Sequence, residues 1–333
     1  MEKVDIKHKH HYVFQAYLRA WAQDDKIWCR RKGKIFPTNT LNIAQMRDFY
    51  RLKPLNDSEI RLIKELMKKQ SPEVQKGMMD EIMLTQRLFK TYDSSNRLLS
   101  FLMEISGGIE NQPKEVVEAY DTANRLREKM INDPMEEFYT DIEGVGCEMI
   151  KAIKKEDLSF YYNPIESPLQ SALDTRHEFI FFICSQYFRT RAMKERWLKI
   201  QDDSYEKLYP DIRSEHIYPH IIWFLQSQCT DYLYEKQANL TLLINTGTIP
   251  FITSDQPVIN LLADYSDLQK EVDSMQLYYP ISPKRAVILN DSSLGQKIEI
   301  SENEVDAYNR RIIAASMDSI FSNDSSILEH YSR

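Results

Sequence analysis

The period of the hydrophobic pattern changes near residue 239, and this change limits the folds available to the chain. Before it, over about 57–238, apolar residues recur at helical spacing, with prolines and capping residues between the helices. After it come two apolar, β-branched runs, NLTLLINTG and IPFITSD, which are typical of strands. Helices grouped before strands favour an α+β fold.

The predicted fold is therefore α+β, with a predominantly helical body and a small mixed or antiparallel β-sheet formed mainly by the C-terminal third. A chain of 333 residues is long enough for one large domain, which we expect to have two lobes. The N-terminal helix and β-hairpin would occupy 10–50 and the helical body 51–238. The C-terminal β-unit and its closing helix would occupy 239–333.

Local patterns predict the N-terminal elements. Phe14, Tyr17, Leu18 and Trp21 follow helical spacing and indicate a helix over 10–23. The run KIWCRRKGKIF then predicts a hairpin that turns at Arg31–Gly33.

Similar patterns predict the later elements. A single long helix is expected over 176–200, and a hairpin that turns at Thr246-Gly247-Thr248. Ser301 followed by Glu304 is a capping box that opens a helix over 302–316. Ser319–Ser322 is the final predicted strand, and the two β-units could share one sheet.

Composition excludes several classes of protein. The net charge of −7 does not steer the chain to nucleic acid by its overall field, although a local basic patch remains possible. Four widely separated cysteines form no C-x-x-C pair, which favours free thiols over a zinc site or a disulfide scaffold. The N-terminus has no apolar signal region and no apolar run is long enough to span a bilayer, so we expect a cytoplasmic protein that does not bind membranes.

The common nucleotide-binding motifs are absent from the sequence. With only eight glycines, it contains no G-x-x-x-x-G-K-[ST] loop and no complete G-x-G-x-x-G fingerprint. We therefore expect no nucleotide cofactor.

Six polar residues in or beside apolar segments are candidate catalytic residues. His10 and His11 begin the first predicted helix and would act as a base or metal ligand, or else cap and pack the helix start. Gln186 and Arg189 lie in or beside an apolar helical stripe and require buried partners, which a ligand or the protein itself would supply.

The other two candidates lie at points where the backbone pattern changes. Glu143 precedes Gly144 and Gly146, where either something approaches the helix closely or the helix ends. Asp255 follows a strand and precedes a turn, a common place for a functional carboxylate and equally for a structural one.

Three segments, in this order, resemble the bacterial family catalogued as domain of unknown function 4238: HHYVFQAYLRAW, SQYFRTR, and FITSDQPV followed by YYPISPKRAVIL. The resemblance runs from about His10 to about Ser322. The chain departs from the family at Phe14 and Arg191, where the family often has proline. The resemblance supports the motif positions, and it implies no role for them. These positions are His10, His11, Gln15, Gln186, Arg189, Ser254, Asp255, Pro257, Ser282 and Pro283.

The economical hypothesis is that the candidate residues converge in one cleft. His11 and Asp255 would then hold a divalent metal, Mg²⁺ or Mn²⁺, while Arg189 neutralises a phosphate. This predicts a metal-dependent nuclease or phosphohydrolase, in a setting of bacterial defence or toxin-like activity. Nucleic acid would bind a local basic patch formed by Arg189, Arg196 and Lys199.

The alternative hypothesis is not enzymatic. The same polar residues would form a structural network, or a pocket that senses a small ligand, in a module that binds other molecules. A protein partner or a homo-oligomer formed through the long helical region remains open.

Overall fold

The computed structural model describes residues 4–68, 70–167, 173–204, 209–267, 270, 272–290 and 295–332. Over these residues the chain forms helices and strands in the proportions that the sequence predicts, with most strands in the C-terminal third. The helices are α1 (Gln15–Leu18), α2 (Asp57–Met67), α3 (Pro72–Ile105), α4 (Lys114–Asn132), α5 (Pro134–Lys154), α6 (Ser159–Tyr162), α7 (Thr175–Phe188), α8 (Arg191–Ser204), α9 (Ser214–Glu235), α10 (Glu302–Ala315) and α11 (Ser325–His330). The strands are β1 (Lys9–His11), β2 (Lys26–Arg31), β3 (Lys34–Asn39), β4 (Gln45–Arg47), β5 (Asn239–Asn245), β6 (Thr253–Ser254), β7 (Ile259–Asn260), β8 (Leu277–Ser282), β9 (Arg285–Asn290), β10 (Lys297–Ile300) and β11 (Ser319–Ser322).

Contacts divide the chain into two compact units, each built from separate stretches of sequence. The first unit comprises Met1–His10, Met46–Thr140 and Gln201–Ile221. The second comprises His11–Gln45, Asp141–Ile200 and Ile222–Arg333.

The first unit is mainly helical. Its helix α2 begins at a complete capping box, in which Asn56 accepts from the backbone N–H of Glu59 and Glu59 accepts from that of Asn56. Leu52, Phe89 and Ile131 form a small buried cluster, and Tyr92 packs against it.

The second unit contains two of the sheets. One has five strands in the order β10-β5-β9-β8-β7 and is mixed, because β10 pairs with β5 in parallel and the other pairs are antiparallel. The other has four strands in the order β3-β2-β11-β6, all antiparallel. A third, two-stranded sheet pairs β1 with β4. These sheets confirm the predicted fold class.

The main core of the second unit contains residues of both large sheets and of α10. Leu243, Ile288, Ile312 and Ile320 belong to one buried cluster and are each at most 2% exposed. Burying such a side chain contributes about 1.5–3 kcal/mol. The predicted hairpin of β2 and β3 and the capping box of α10 are both confirmed.

Three predicted elements are wrong in detail. The first helix is short, because the chain is extended until α1 begins at Gln15, and His10 and His11 therefore lie on strand β1. Thr246–Thr248 does not close a hairpin, since β5 pairs with β9 and β10 while the following run supplies β6 to the other large sheet.

The third correction concerns the single helix expected over 176–200. It is two helices, α7 and α8, which are separated at Arg189-Thr190. The Thr190 hydroxyl accepts the backbone N–H of Met193 at 3.2 Å, and this bond caps the start of α8.

Candidate functional site

Arg189 follows the last residue of α7, and its side chain is only 1% exposed. The guanidinium donates one hydrogen bond to the carboxylate of Glu143 on α5 and another to the backbone carbonyl of His11. A buried guanidinium requires charge-assisted bonds of this kind. Together the two bonds fix the end of α7 to α5 and to the N-terminal segment.

Helix α5 brings Glu143 to Arg189 because it runs unbroken through Gly144 and Gly146. Gly146 packs directly on the ring of Phe182 in α7, so the two helices approach closely at this point. Glu143 precedes Gly146 by three residues and thus lies on the same face of α5. Gly146 therefore makes the close approach that was one of the two interpretations of these glycines in the sequence.

Gln186 lies on α7, one turn before Arg189 and one turn after Phe182, and is 1% exposed. Neither its amide oxygen nor its amide nitrogen has a hydrogen-bond partner among the residues that the structure describes. An unpaired buried polar group costs about 1–3 kcal/mol. Gln186 therefore offers an unused donor and an unused acceptor in the interior of the second unit.

Tyr279 on β8 is a second buried polar group of this kind. Its ring lies 6.3 Å from the ring of Phe182 between centroids, and burial raises the pKa of its hydroxyl well above the usual value. The charges of Glu143 and Arg189 also act on that pKa, which places the hydroxyl near both side chains. Within the described chain the Tyr279 hydroxyl has no hydrogen-bond partner.

Glu143, Gln186, Arg189 and Tyr279 are called the Arg189 cluster below. Its formal charges balance, because the guanidinium is matched by one carboxylate. The part of the cluster that is most exposed to solvent lies on α5, where the Glu143 side chain is 20% exposed and the neighbouring Cys147 is half-buried. The cluster is thus neutral overall, nearly sealed, and closest to solvent beside α5.

Asp255 lies at the end of β6 and is 3% exposed. One carboxylate oxygen accepts the backbone N–H of Met317 at 2.9 Å, and the other accepts those of Asp318 and Ser319 at 2.7 and 3.0 Å. Burial raises the pKa of Asp255, and the three N–H donors partly oppose that rise. The carboxylate holds the turn that leads into β11, which is the structural role that the sequence left open.

Several charged side chains, some of them partly exposed, surround this turn. Arg191 donates to Asp318 at 2.8 Å, and Arg31 donates to the Ser319 hydroxyl at 2.7 Å. Burial raises the pKa of Tyr12 to about 12, and the nearby charge of Asp255 adds to the rise. Tyr12 of the N-terminal motif therefore lies near Asp255 of the C-terminal motif. Convergence of His10, His11, Gln186, Arg189 and Asp255 in one cleft stays a prediction.

Gln256 connects the same motifs through a fully paired amide. Its oxygen accepts from the Thr190 hydroxyl, and its nitrogen donates to the carbonyls of Tyr187 at 3.0 Å and Val258 at 2.8 Å. Gln256, Thr190, Tyr12 and Tyr279 are not among the candidate residues that the sequence predicts. All four lie inside or beside the motif segments, and this location is the feature of the sequence that could have pointed to them.

His10 belongs to the first unit and is fully buried. Its Nδ1 accepts the backbone N–H of Tyr50 at 2.9 Å, and its ring stacks on that of Tyr50 at 5.6 Å between centroids. Burial lowers the pKa of His10. The His10 side chain therefore packs on Tyr50 and accepts a hydrogen bond from its backbone. His11 instead accepts a hydrogen bond from Arg189 through its backbone carbonyl.

Metal binding by His11 and Asp255 stays a prediction. In the parts of the chain that the structure describes, no group of three or more His, Cys, Asp or Glu side chains is arranged to hold a metal ion. The Asp255 oxygens already accept three backbone N–H groups.

The predicted basic patch is not one surface. Arg189 is buried, and Arg196 donates to the carbonyl of Ala315 at 2.5 Å while its guanidinium lies 4.8 Å from the ring centre of Tyr265. Lys199 is exposed. Binding of nucleic acid stays a prediction, although Arg189, Arg196 and Lys199 do not form the exposed patch on which it was based.

The family model described as Protein of unknown function (DUF4238) matches residues 9–326, nearly the whole chain. The chain belongs to this family. The matched range includes the segments around Arg189 and Asp255 described above. Comparison with curated proteins and with solved structures finds no match.

Among the described helices, none combines the length and the apolar character needed to cross a bilayer.

Proposed function

We propose that this protein is a ligand-binding module whose Arg189 cluster binds a small, uncharged, planar molecule. The observation that carries the proposal is the buried amide of Gln186, which has both polar atoms unpaired among the described residues. A ligand that offers an acceptor beside a donor would satisfy both atoms at once.

The surroundings of Gln186 indicate the chemistry of the ligand. Phe182 lies one turn before Gln186 on α7 and its ring contacts that of Tyr279, whose hydroxyl adds a third unpaired group within the described chain. A glutamine amide pairs with the edge of adenine through one donor and one acceptor, and aromatic rings stack on flat bases. A nucleobase or nucleoside is therefore the class of ligand that fits best.

The charge balance of the cluster favours a neutral ligand over a phosphate. The guanidinium that the nuclease hypothesis assigned to a phosphate is matched by Glu143. An added phosphate would have to displace that carboxylate or be buried without its own counter-charge. The metal-dependent nuclease or phosphohydrolase stays a prediction that the same purified protein can test.

Entry of a ligand requires movement at α5. Gln186 and Tyr279 are sealed, and Glu143 of the cluster and the neighbouring Cys147 on α5 lie nearest to solvent. If only a fraction of the molecules is in the open state that can bind, the apparent affinity for the ligand is reduced by that fraction. Two open clefts of about 560 and 570 Å³ lie in the first unit; Arg61 lines both, and Leu62, Leu66 and Ile212 also line the first. Among the described residues that line these clefts, none has a buried polar side-chain atom without a hydrogen-bond partner. They offer no comparable reason to bind a ligand.

The test measures thermal stability of wild type with adenine, adenosine, guanosine, cytidine, uridine and nicotinamide. A ligand present at 100 times its Kd should stabilise the protein by about 2.7 kcal/mol. Gln186→Met should abolish the shift. Gln296→Met, at an exposed position of the second unit, should leave it unchanged. If none of the six probes stabilises well-folded wild type, the proposal fails.

A parallel assay addresses the nuclease hypothesis. Wild type, Asp255→Asn and Glu143→Gln would be incubated with RNA, single-stranded DNA and duplex DNA in the presence of Mg²⁺ or Mn²⁺. The binding module predicts intact substrates. Cleavage that disappears in a folded Asp255→Asn variant would instead support the metal-dependent nuclease.

A further inference from the structure

Helix α3 in the first unit carries an apolar stripe that no other part of the described chain covers. Six large apolar residues on this helix are between 42% and 66% exposed. They are Met83, Leu84, Leu98, Phe101, Leu102 and Ile105. We propose that this stripe is the interface between two copies of the chain, which pack their α3 helices antiparallel about a twofold axis.

The stripe differs from the face of α3 that packs within the unit. Phe89 and Tyr92 face α4, where the Tyr92 hydroxyl donates to Glu128 at 2.5 Å. Leu84, Leu98, Phe101 and Ile105 fall on one heptad track of α3, whose middle positions are the polar residues Arg87, Thr91 and Ser94. A helix with apolar residues on a second side, besides the side that packs within its own unit, is typical of a bundle with more than two helices. The hairpin of α3 and α4 supplies only half of such a bundle, and a second copy would supply the other half.

The shape of the stripe fits a copy of itself. An open depression of about 370 Å³ on this helix is lined by Lys90, Thr91, Ser94, Ser95 and Leu98. With the axis between Ser94 and Ser95, Leu98 of the second copy would lie opposite Thr91 and fill the depression. In the same register Leu84 would lie opposite Ile105 of the second copy. A twofold interface requires this self-complementary arrangement.

The exposed area also suits a dimer. Six side chains of this size and exposure present on the order of 500 Å² per copy, which is in the range of the largest apolar patch on a monomeric protein, a patch that is often functional. Two copies would bury about 1,000 Å², which is near the lower limit for a specific interface. A reversible dimer is therefore expected, with a Kd in the micromolar range.

The first experiment measures molar mass by sedimentation from about 1 to 100 µM, a range chosen around a micromolar Kd. Wild type should pass from monomer to dimer over this range. Leu98→Glu and Phe101→Glu should remain monomeric with an unchanged circular dichroism spectrum, because both positions are exposed. Ser100→Glu, on another face of α3, should dimerise like wild type. Wild type that is monomeric throughout, or a Leu98→Glu variant that still dimerises, would overturn the proposal.

A second experiment tests the antiparallel register with a short thiol cross-linker. Ser94→Cys should cross-link efficiently, because the two cysteines flank the axis. Ile105→Cys should not, since its two copies would lie about 30 Å apart along the helices. Wild type gives the background from the half-buried Cys147. Equal cross-linking of both variants would contradict the antiparallel pair.

Discussion

Gly146 of α5 lies so close to Phe182 of α7 that a β-carbon at this position would be 2.2 Å from Cδ2 of the ring. Gly144, two residues earlier on the same helix, has open space around it, with nothing within 4 Å. The contact at Gly146 sets the separation of the two helices, and that separation allows Glu143 to reach Arg189.

The two glycines should therefore respond in opposite ways to alanine. Gly146→Ala should lower the free energy of unfolding by about 2–4 kcal/mol, because the methyl group overpacks a rigid ring. Gly144→Ala should raise it by about 0.5–1 kcal/mol, since alanine favours the helix. Urea denaturation of both variants measures the difference. Equal effects would mean that the helices are not in contact at Gly146.

Two buried glutamines offer a second matched comparison. Gln256 has three hydrogen bonds, so Gln256→Met should cost about 2–4 kcal/mol of stability by leaving their partners unpaired. Gln186 has none among the described residues, so Gln186→Met should be neutral or stabilising by up to about 1 kcal/mol. Thermal and urea unfolding would decide. A large loss of stability in Gln186→Met would show that its amide is already paired, for instance by buried water.

Asp255 should behave as a structural carboxylate. Asp255→Ala leaves three backbone N–H groups without their acceptor and should cost about 2–4 kcal/mol. Asp318→Ala removes a partly exposed ion pair with Arg191 and should cost at most about 1 kcal/mol. Equilibrium unfolding compares the two. An Asp255→Ala variant as stable as wild type would favour a functional role for the carboxylate over a structural one.

His10 predicts a dependence of stability on pH. Its pKa is lowered in the folded state, mainly by burial, and protonation at Nδ1 would break the bond from the Tyr50 N–H. The folded state thus binds this proton less readily than the unfolded state does. The contribution of His10 to stability is complete above its unfolded pKa of about 6.5 and is lost as the pH falls through the lower folded pKa.

Urea unfolding between pH 7.5 and 5, in steps of about half a unit around the unfolded pKa of histidine, measures this contribution. His10→Asn keeps an acceptor near the Nδ1 position and should lose less stability on acidification than wild type. His330→Asn, at an exposed histidine of α11, is the control for removing a histidine elsewhere in the chain. Identical pH profiles for His10→Asn and wild type would contradict the assignment. An NMR titration of His10 gives a direct check of the direction of its pKa shift.

The sequence by itself determined the fold class, the hairpin of β2 and β3 and the start of α10. Each depends on residues close together in the chain, such as the turn at Lys32-Gly33, where both residues have positive φ, or the capping box of Ser301 and Glu304. It also marked the segments around Arg189 and Asp255 as ones that should meet.

Only the tertiary structure decided what those residues do. Asp255 binds a turn more than sixty positions later, and Arg189 binds a carbonyl 178 positions earlier. The two buried glutamines, Gln186 and Gln256, differ because Gln256 has partners within reach and Gln186 has none in the described chain. Local patterns show that a polar group will be buried, but its hydrogen-bond partners come from segments that only the folded chain brings together.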